Sequence, residues 1–152
     1  MPSEIHQWLL VWIARRMTRD GFVVSGFDGQ APRGMEWTAL PAPFSFRGVR
    51  ADAWGQRTAG RLIAFGEAKT VEDVDTTHTR QQFEVLGKTR MKGVGTPCPL
   101  YVGVPRSAVY DLDRVLIDVG LLGKRHVIRV HVPDVLLEDA QHGSRQDYRT
   151  SA

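Results

Sequence analysis

Val49-Arg50-Ala51-Asp52-Ala53-Trp54-Gly55-Gln56-Arg57-Thr58-Ala59-Gly60-Arg61-Leu62-Ile63-Ala64-Phe65-Gly66-Glu67-Ala68-Lys69-Thr70 reads as two strands joined by a tight turn. Thr58-Ala59-Gly60 is the only turn signal between the two apolar runs. With Ala59-Gly60 as a two-residue loop, residues whose numbers sum to 119 face each other. That register sets Asp52 opposite Glu67 on one face. Lys69 lies two residues beyond Glu67 and shares the face. Two carboxylates and one ammonium then meet on an otherwise apolar sheet. Adjacent carboxylates repel, and burying either one unpaired is costly. A divalent cation would remove the repulsion.

In the second arm, Leu62, Ala64, Gly66 and Ala68 line one face, and Ile63, Phe65, Glu67 and Lys69 the other. Apolar residues on both faces mark a central strand covered by helices on both sides. The first arm is read as one strand from Phe44 to Trp54. It carries Val49, Ala51 and Ala53 on one face and Arg50, Asp52 and Trp54 on the other.

Upstream, residues 3 to 19 have the period of a helix. Ser3 is its N-cap, and Ile5, Trp8, Leu9, Trp12, Ile13 and Met17 form one apolar stripe. Trp8 and Trp12 belong to the core on this reading. Asp20-Gly21 ends the helix. Phe22 to Val24 is a short strand, and residues 26 to 43 are a Gly- and Pro-rich loop.

Downstream, Val71 to Thr77 is a polar loop and His78 to Met91 a helix with Phe83 and Leu86 inward. Leu100 to Val104 is a buried strand. Ser107 caps a further helix bearing Val109, Leu112, Val115, Leu116 and Val119. Val127 to Val132 alternates as an edge strand with Ile128, Val130 and Val132 inward. The order αβββαβαβ is an α/β fold, a mixed central sheet flanked by helices on both faces. A single domain spans residues 1 to 137, and 138 to 152 form a polar tail without apolar period.

The chain has 152 residues, enough for one domain with a real core. Its single cysteine, Cys98, excludes an internal disulfide and a multi-cysteine zinc site. No apolar run is long enough to span a bilayer. Glu4 and His6 stand where a signal peptide would be basic, so a cytoplasmic protein is expected. The net charge of +3 mildly favours a polyanionic partner.

Asp52, Glu67-Ala68-Lys69 and the order of elements around them resemble the PD-(D/E)XK nuclease superfamily, the fold of many restriction endonucleases and Holliday-junction resolvases. The resemblance covers most of residues 1 to 132. The residue before Asp52 is Ala51, where the family name has Pro. The resemblance implies a restriction-endonuclease-like core and a DNA endonuclease dependent on Mg2+, with Mn2+ able to substitute. It implies that Asp52, Glu67 and the Ala68 carbonyl hold the metal, and that Lys69 orients water and stabilises developing charge. A glutamine at the start of the crossover helix, Gln82 or alternatively Gln81, positions the water or steadies Lys69. Glu4 is the accessory first-helix carboxylate. DNA is the implied partner, with a homodimer or a larger nuclease complex supplying a second site.

Arg80, Lys88 and Arg90, on the helix beside the proposed site, are the DNA contacts expected from position. His78, His126, His131 and Cys98 carry no chemistry on this reading, the last two histidines being solvated. Two other readings stay open. One is an inactive nucleic-acid-binding or protein-interaction module of the same fold. The other is an unrelated α/β domain in which Lys69 forms a structural ion cluster with Asp52 and Glu67.

Overall fold

The computed structural model describes residues 3–29, 37, 39–59 and 61–138. The expected tail beyond residue 138, residues 30–36 and 38 of the 26 to 43 loop, and the turn residue Gly60 lie outside the described residues. The first helix, α1, is Glu4–Arg19. Ser3 caps it by accepting the His6 backbone N–H at 3.2 Å, and the Asp20 N–H closes it on the Arg16 carbonyl. Its buried face is Leu9, Leu10, Val11, Ile13, Ala14 and Met17. Trp8 and Trp12, expected in the core, are only half-buried at the edge of this face.

The strands β1 (Val23–Phe27), β4 (Ala53–Arg57) and β5 (Leu62–Ala68) form an antiparallel meander. The small hairpin β2 (Ser45–Phe46) and β3 (Val49–Arg50) stands apart from it. Two parallel crossovers complete the sheet. The first runs through α2 (Val71–Val74) and α3 (Thr77–Gly87) to β6 (Leu100–Pro105). The second passes a 3-10 turn at Arg106–Ala108 and α4 (Val109–Asp118) to β7 (Val127–Val132). The sheet order is β1-β4-β5-β6-β7, so β5 is the central strand and β7 an edge. Its alternation of small and large residues meets two cores. Ala64 and Ala68 face α1, whereas Ile63 and Phe65 face the side of α3 and α4. The fold is α/β, a mixed five-stranded sheet between helices.

Five elements differ from the sequence reading, the first being β1, which runs on to Phe27 into the expected loop. The expected strand from Phe44 to Trp54 is broken twice, by a turn at Arg47-Gly48 and by a bend at Asp52. Both turn residues have positive φ, +51° and +79°, the conformation of a tight two-residue hairpin loop. The bend puts Ala51 and Ala53, expected on one face, into the two opposite cores. The polar stretch after Lys69 contains the short α2. The following helix ends at Gly87, four residues before Met91. Ser107 lies in the 3-10 turn instead of capping a helix; its N–H and hydroxyl both donate to Asp134.

The seat of α1 depends on two glycines. A Cβ on Gly66 of β5 would stand 2.7 Å from Ile13, and one on Gly103 of β6 would meet the same side chain at 2.7 Å. Without side chains there, α1 lies close across the two central strands. Among the described residues no helix is long and apolar enough to cross a membrane.

Candidate functional site

The pairing of β4 with β5 follows the expected register: Ala53 opposes Gly66 and Trp54 opposes Phe65. Asp52, the next residue outward, donates its N–H to the Gly66 carbonyl at 3.0 Å. The chain bends there, and the Asp52 side chain turns over the end of β5. Its Oδ2 accepts the Ala68 backbone N–H at 2.8 Å. A cross-strand pair thus becomes a carboxylate fixed on the backbone between Glu67 and Lys69.

Glu67 is fully buried, with 0% of its surface exposed. Among the described residues, neither of its carboxylate oxygens has a hydrogen-bond partner. Burial holds this carboxyl well above the ordinary carboxylic range, and the negative charge of Asp52 pushes the same way. Lys69 opposes them, with Nζ 3.8 Å from Glu67 Oε2. One ammonium stands against two carboxylates, with His6 the other basic group, beside Asp52.

The helix phase selects between the two glutamines. Gln82 is buried and its Oε1 accepts a hydrogen bond from Lys69 Nζ; Gln81 is exposed. The Thr76 hydroxyl accepts the Thr79 N–H and so caps α3, which aims this turn at β5.

His6 was not singled out from the sequence as a site residue. Its Nε2 lies 3.3 Å from Asp52 Oδ2, and its Nδ1 is buried without a hydrogen-bond partner among the described residues. Residue 6 is one turn before Leu10 on the sheet-facing side of α1, and that spacing is the only signal the sequence carries. Glu4, the expected accessory carboxylate, is exposed at the start of the helix. It lies about 200° around the axis from His6, so the structure does not bring it to Asp52.

The expected phosphate contacts are also dispersed. The Arg80 guanidinium is held by Asp75 and Asp118, each at 2.8 Å. Lys88 pairs with Glu84 at 3.3 Å on the exposed side of α3. Arg90, beyond the helix, donates to the Gly95 carbonyl at 2.7 Å. His78 and His131 are exposed, whereas His126 Nε2 lies 2.6 Å from the Gly87 carbonyl. Cys98 is buried beside Met91.

The donor chemistry suits a hard divalent cation. Two carboxylates converge, one with orphaned oxygens, and the Ala68 carbonyl belongs to the same strand end. Among the described residues no three His, Cys, Asp or Glu side chains form a ready-made metal cage. An ion here would rest on the two carboxylates, backbone oxygen and water. In comparisons with family models, curated proteins and solved structures, none matches the chain.

Proposed function

We propose that the protein is a metal-dependent deoxyribonuclease of restriction-endonuclease-like fold, hydrolysing phosphodiester bonds at Asp52, Glu67 and Lys69. One observation carries this reading: Glu67 is a fully buried carboxylate whose oxygens accept no hydrogen bond among the described residues, beside a second carboxylate. Such a pair is costly in an ion-free fold and becomes favourable when its charge is spent on a cation. Magnesium, or manganese in its place, would supply Lewis acidity and a bound water of lowered pKa.

The chain's own residues do the rest. Asp52 and Glu67, with the Ala68 carbonyl, hold the ion. The Ala68 N–H and His6 keep the Asp52 carboxylate in place. Gln82 holds the Lys69 ammonium by its hydrogen bond, ready to offset negative charge growing on the phosphoryl oxygens. A water oxygen bonds to phosphorus and gives up a proton to solvent as the bond to the departing sugar oxygen breaks, and that oxygen takes up a proton from solvent. Cutting both strands of a duplex needs two such sites, which a homodimer or a larger complex would supply.

The test is cleavage of supercoiled, linear and four-way-junction DNA with magnesium, beside Glu67→Gln and Lys69→Ala. Cleavage by wild type and loss in both variants is expected. Magnesium should also raise the melting temperature of wild type and not that of Glu67→Gln. DNA binding without any cleavage would make the protein a binding module. Neither binding nor cleavage, with no magnesium effect on melting, would leave a structural ion cluster.

A further inference from the structure

A second feature lies on the same face of β5, one pleat from Glu67. Ile63 and Phe65 share that face with Glu67 and Lys69, and Phe65 is about 7 Å from Glu67 along the strand. Beside them opens a cleft of about 550 Å³, the size of a small-ligand site. Phe44, Phe46 and Phe65 form its aromatic wall, and Arg47, Arg90 and Lys92 its cationic rim. No carboxylate lines it among the described residues.

Its construction differs from that of a packed core. Phe44 is 47% exposed although it touches Trp54 edge-on at 5.2 Å. Phe46 stacks on Phe65 with ring centres 6.1 Å apart. Above Phe46 sits the Arg47 guanidinium, 5.3 Å from the ring centre. Arg47 occupies the first position of the hairpin turn at positive φ, a conformation that favours Gly or Asn. The strained turn projects a cation over an aromatic floor. Arg47, Arg90 and Lys92 are all exposed.

We infer that this cleft is a subsite for an unpaired nucleotide of a DNA strand. A nucleotide combines a flat apolar base with an anionic phosphate, which matches phenyl rings edged by three cations. Stacking on aromatic side chains accepts any base, and the rim neutralises the backbone. A duplex keeps its bases stacked within the helix, so the cleft selects strands with a free base. The inference rests on the deoxyribonuclease reading for its choice of nucleic acid. It deepens that reading by assigning the substrate as DNA with a single-stranded segment at the cut.

Binding is measured in EDTA, where no cleavage occurs, by anisotropy of a labelled single-stranded oligonucleotide and of a matched blunt duplex. A 2-aminopurine placed in the single strand reports stacking by quenching. Phe44→Ala and Lys92→Glu change exposed residues and leave Asp52, Glu67 and Lys69 in place. Wild type should prefer the single strand and quench the probe. Each variant should weaken single-strand binding on the order of tenfold and restore fluorescence, with a smaller change for the duplex. Glu67→Gln should bind the single strand like wild type. Unchanged affinity and quenching in both variants would overturn the subsite, whether or not the protein cuts DNA. A shift from dimer to monomer in sedimentation, without change in oligonucleotide binding, would make the cleft a self-association surface and overturn it too. Conversely, variant-sensitive single-strand binding in a protein that never cleaves would sustain the subsite and remove the nuclease reading alone.

Discussion

Two charge clusters of this protein, one buried and one on the surface, behave differently. On the surface, Asp75 accepts from Arg80 and Arg114 at 2.8 Å each, and Arg80 also reaches Asp118. Asp111 adds a longer contact to Arg114 at 3.7 Å, so three carboxylates meet two guanidinium groups, and solvent screens the excess. The Arg80 hydrogen bond, followed by that from Arg114, lowers the Asp75 pKa, as in an ordinary satisfied ion pair. At the end of β5, Lys69 reaches Glu67 at 3.8 Å, yet burial, and then the charge of Asp52, raise the Glu67 pKa instead. The surface cluster is solvated, so water screens its excess negative charge. The buried one has no such screening, and the proposed cation would offset it.

The largest expected contrast is in activity. Lys69→Ala should lower DNA cleavage on the order of 10²–10³-fold, while Arg114→Ala leaves it unchanged. A comparable loss in both, measured as initial rates on supercoiled DNA, would erase the distinction.

Next in size is the seat of α1, which delivers His6 to Asp52. Gly103→Val puts a branched side chain against Ile13 and the Leu9 carbonyl. It should destabilise the fold by about 1–3 kcal/mol, read as a lower urea midpoint. An unchanged midpoint would mean that the close approach of helix and sheet carries no constraint.

The pH dependence sharpens the contrast further. In the unfolded chain Glu67 loses its proton near the ordinary value of 4.5, and in the fold it keeps it to higher pH. The folded state therefore binds the extra proton above that value. Stability falls as pH rises from about 4.5 through the folded-state pKa. In EDTA, Glu67→Gln should gain about 1–3 kcal/mol over wild type near neutral pH, with the gain vanishing as pH falls to 4.5. Melting curves across pH 4 to 8 decide it; a pH-independent difference would show that Glu67 is not a strained carboxyl. Asp75 behaves inversely, since its lowered pKa adds stability above the unfolded value that is lost on acidification.

The smallest effect belongs to the exposed pair. Arg114→Ala should shift the melting temperature by no more than about 2 °C, because solvent and salt screen such contacts. A larger drop would promote the surface network to a structural element.

Legibility in the sequence followed the range of the interactions. The hairpin register was readable because strand alternation and one turn signal act over a few residues, and Ala53 indeed faces Gly66. The apolar faces of β5 gave away a central strand in the same manner. The break at Arg47-Gly48 left only Gly48 as a cue, since an Arg at positive φ carries no turn signal. Gln81 and Gln82 could not be separated until the cap at Thr76 set the phase of α3. The distant partners of Arg80 were equally hidden, because Asp118 lies on α4.

From its residues alone, the chain determined an α/β order, a central strand and three charges that a sheet would not choose. Those are consequences of local period and of the cost of burying charge, and both are written in neighbouring residues. Tertiary structure alone decided that Asp52 bends onto the Ala68 N–H, that His6 meets it across 46 positions, and that Glu4 does not. It also decided that three phenylalanines and three cations meet at one cleft. Such contacts depend on how helix and sheet dock, which is set by shape and close packing at residues such as Gly66 and Gly103.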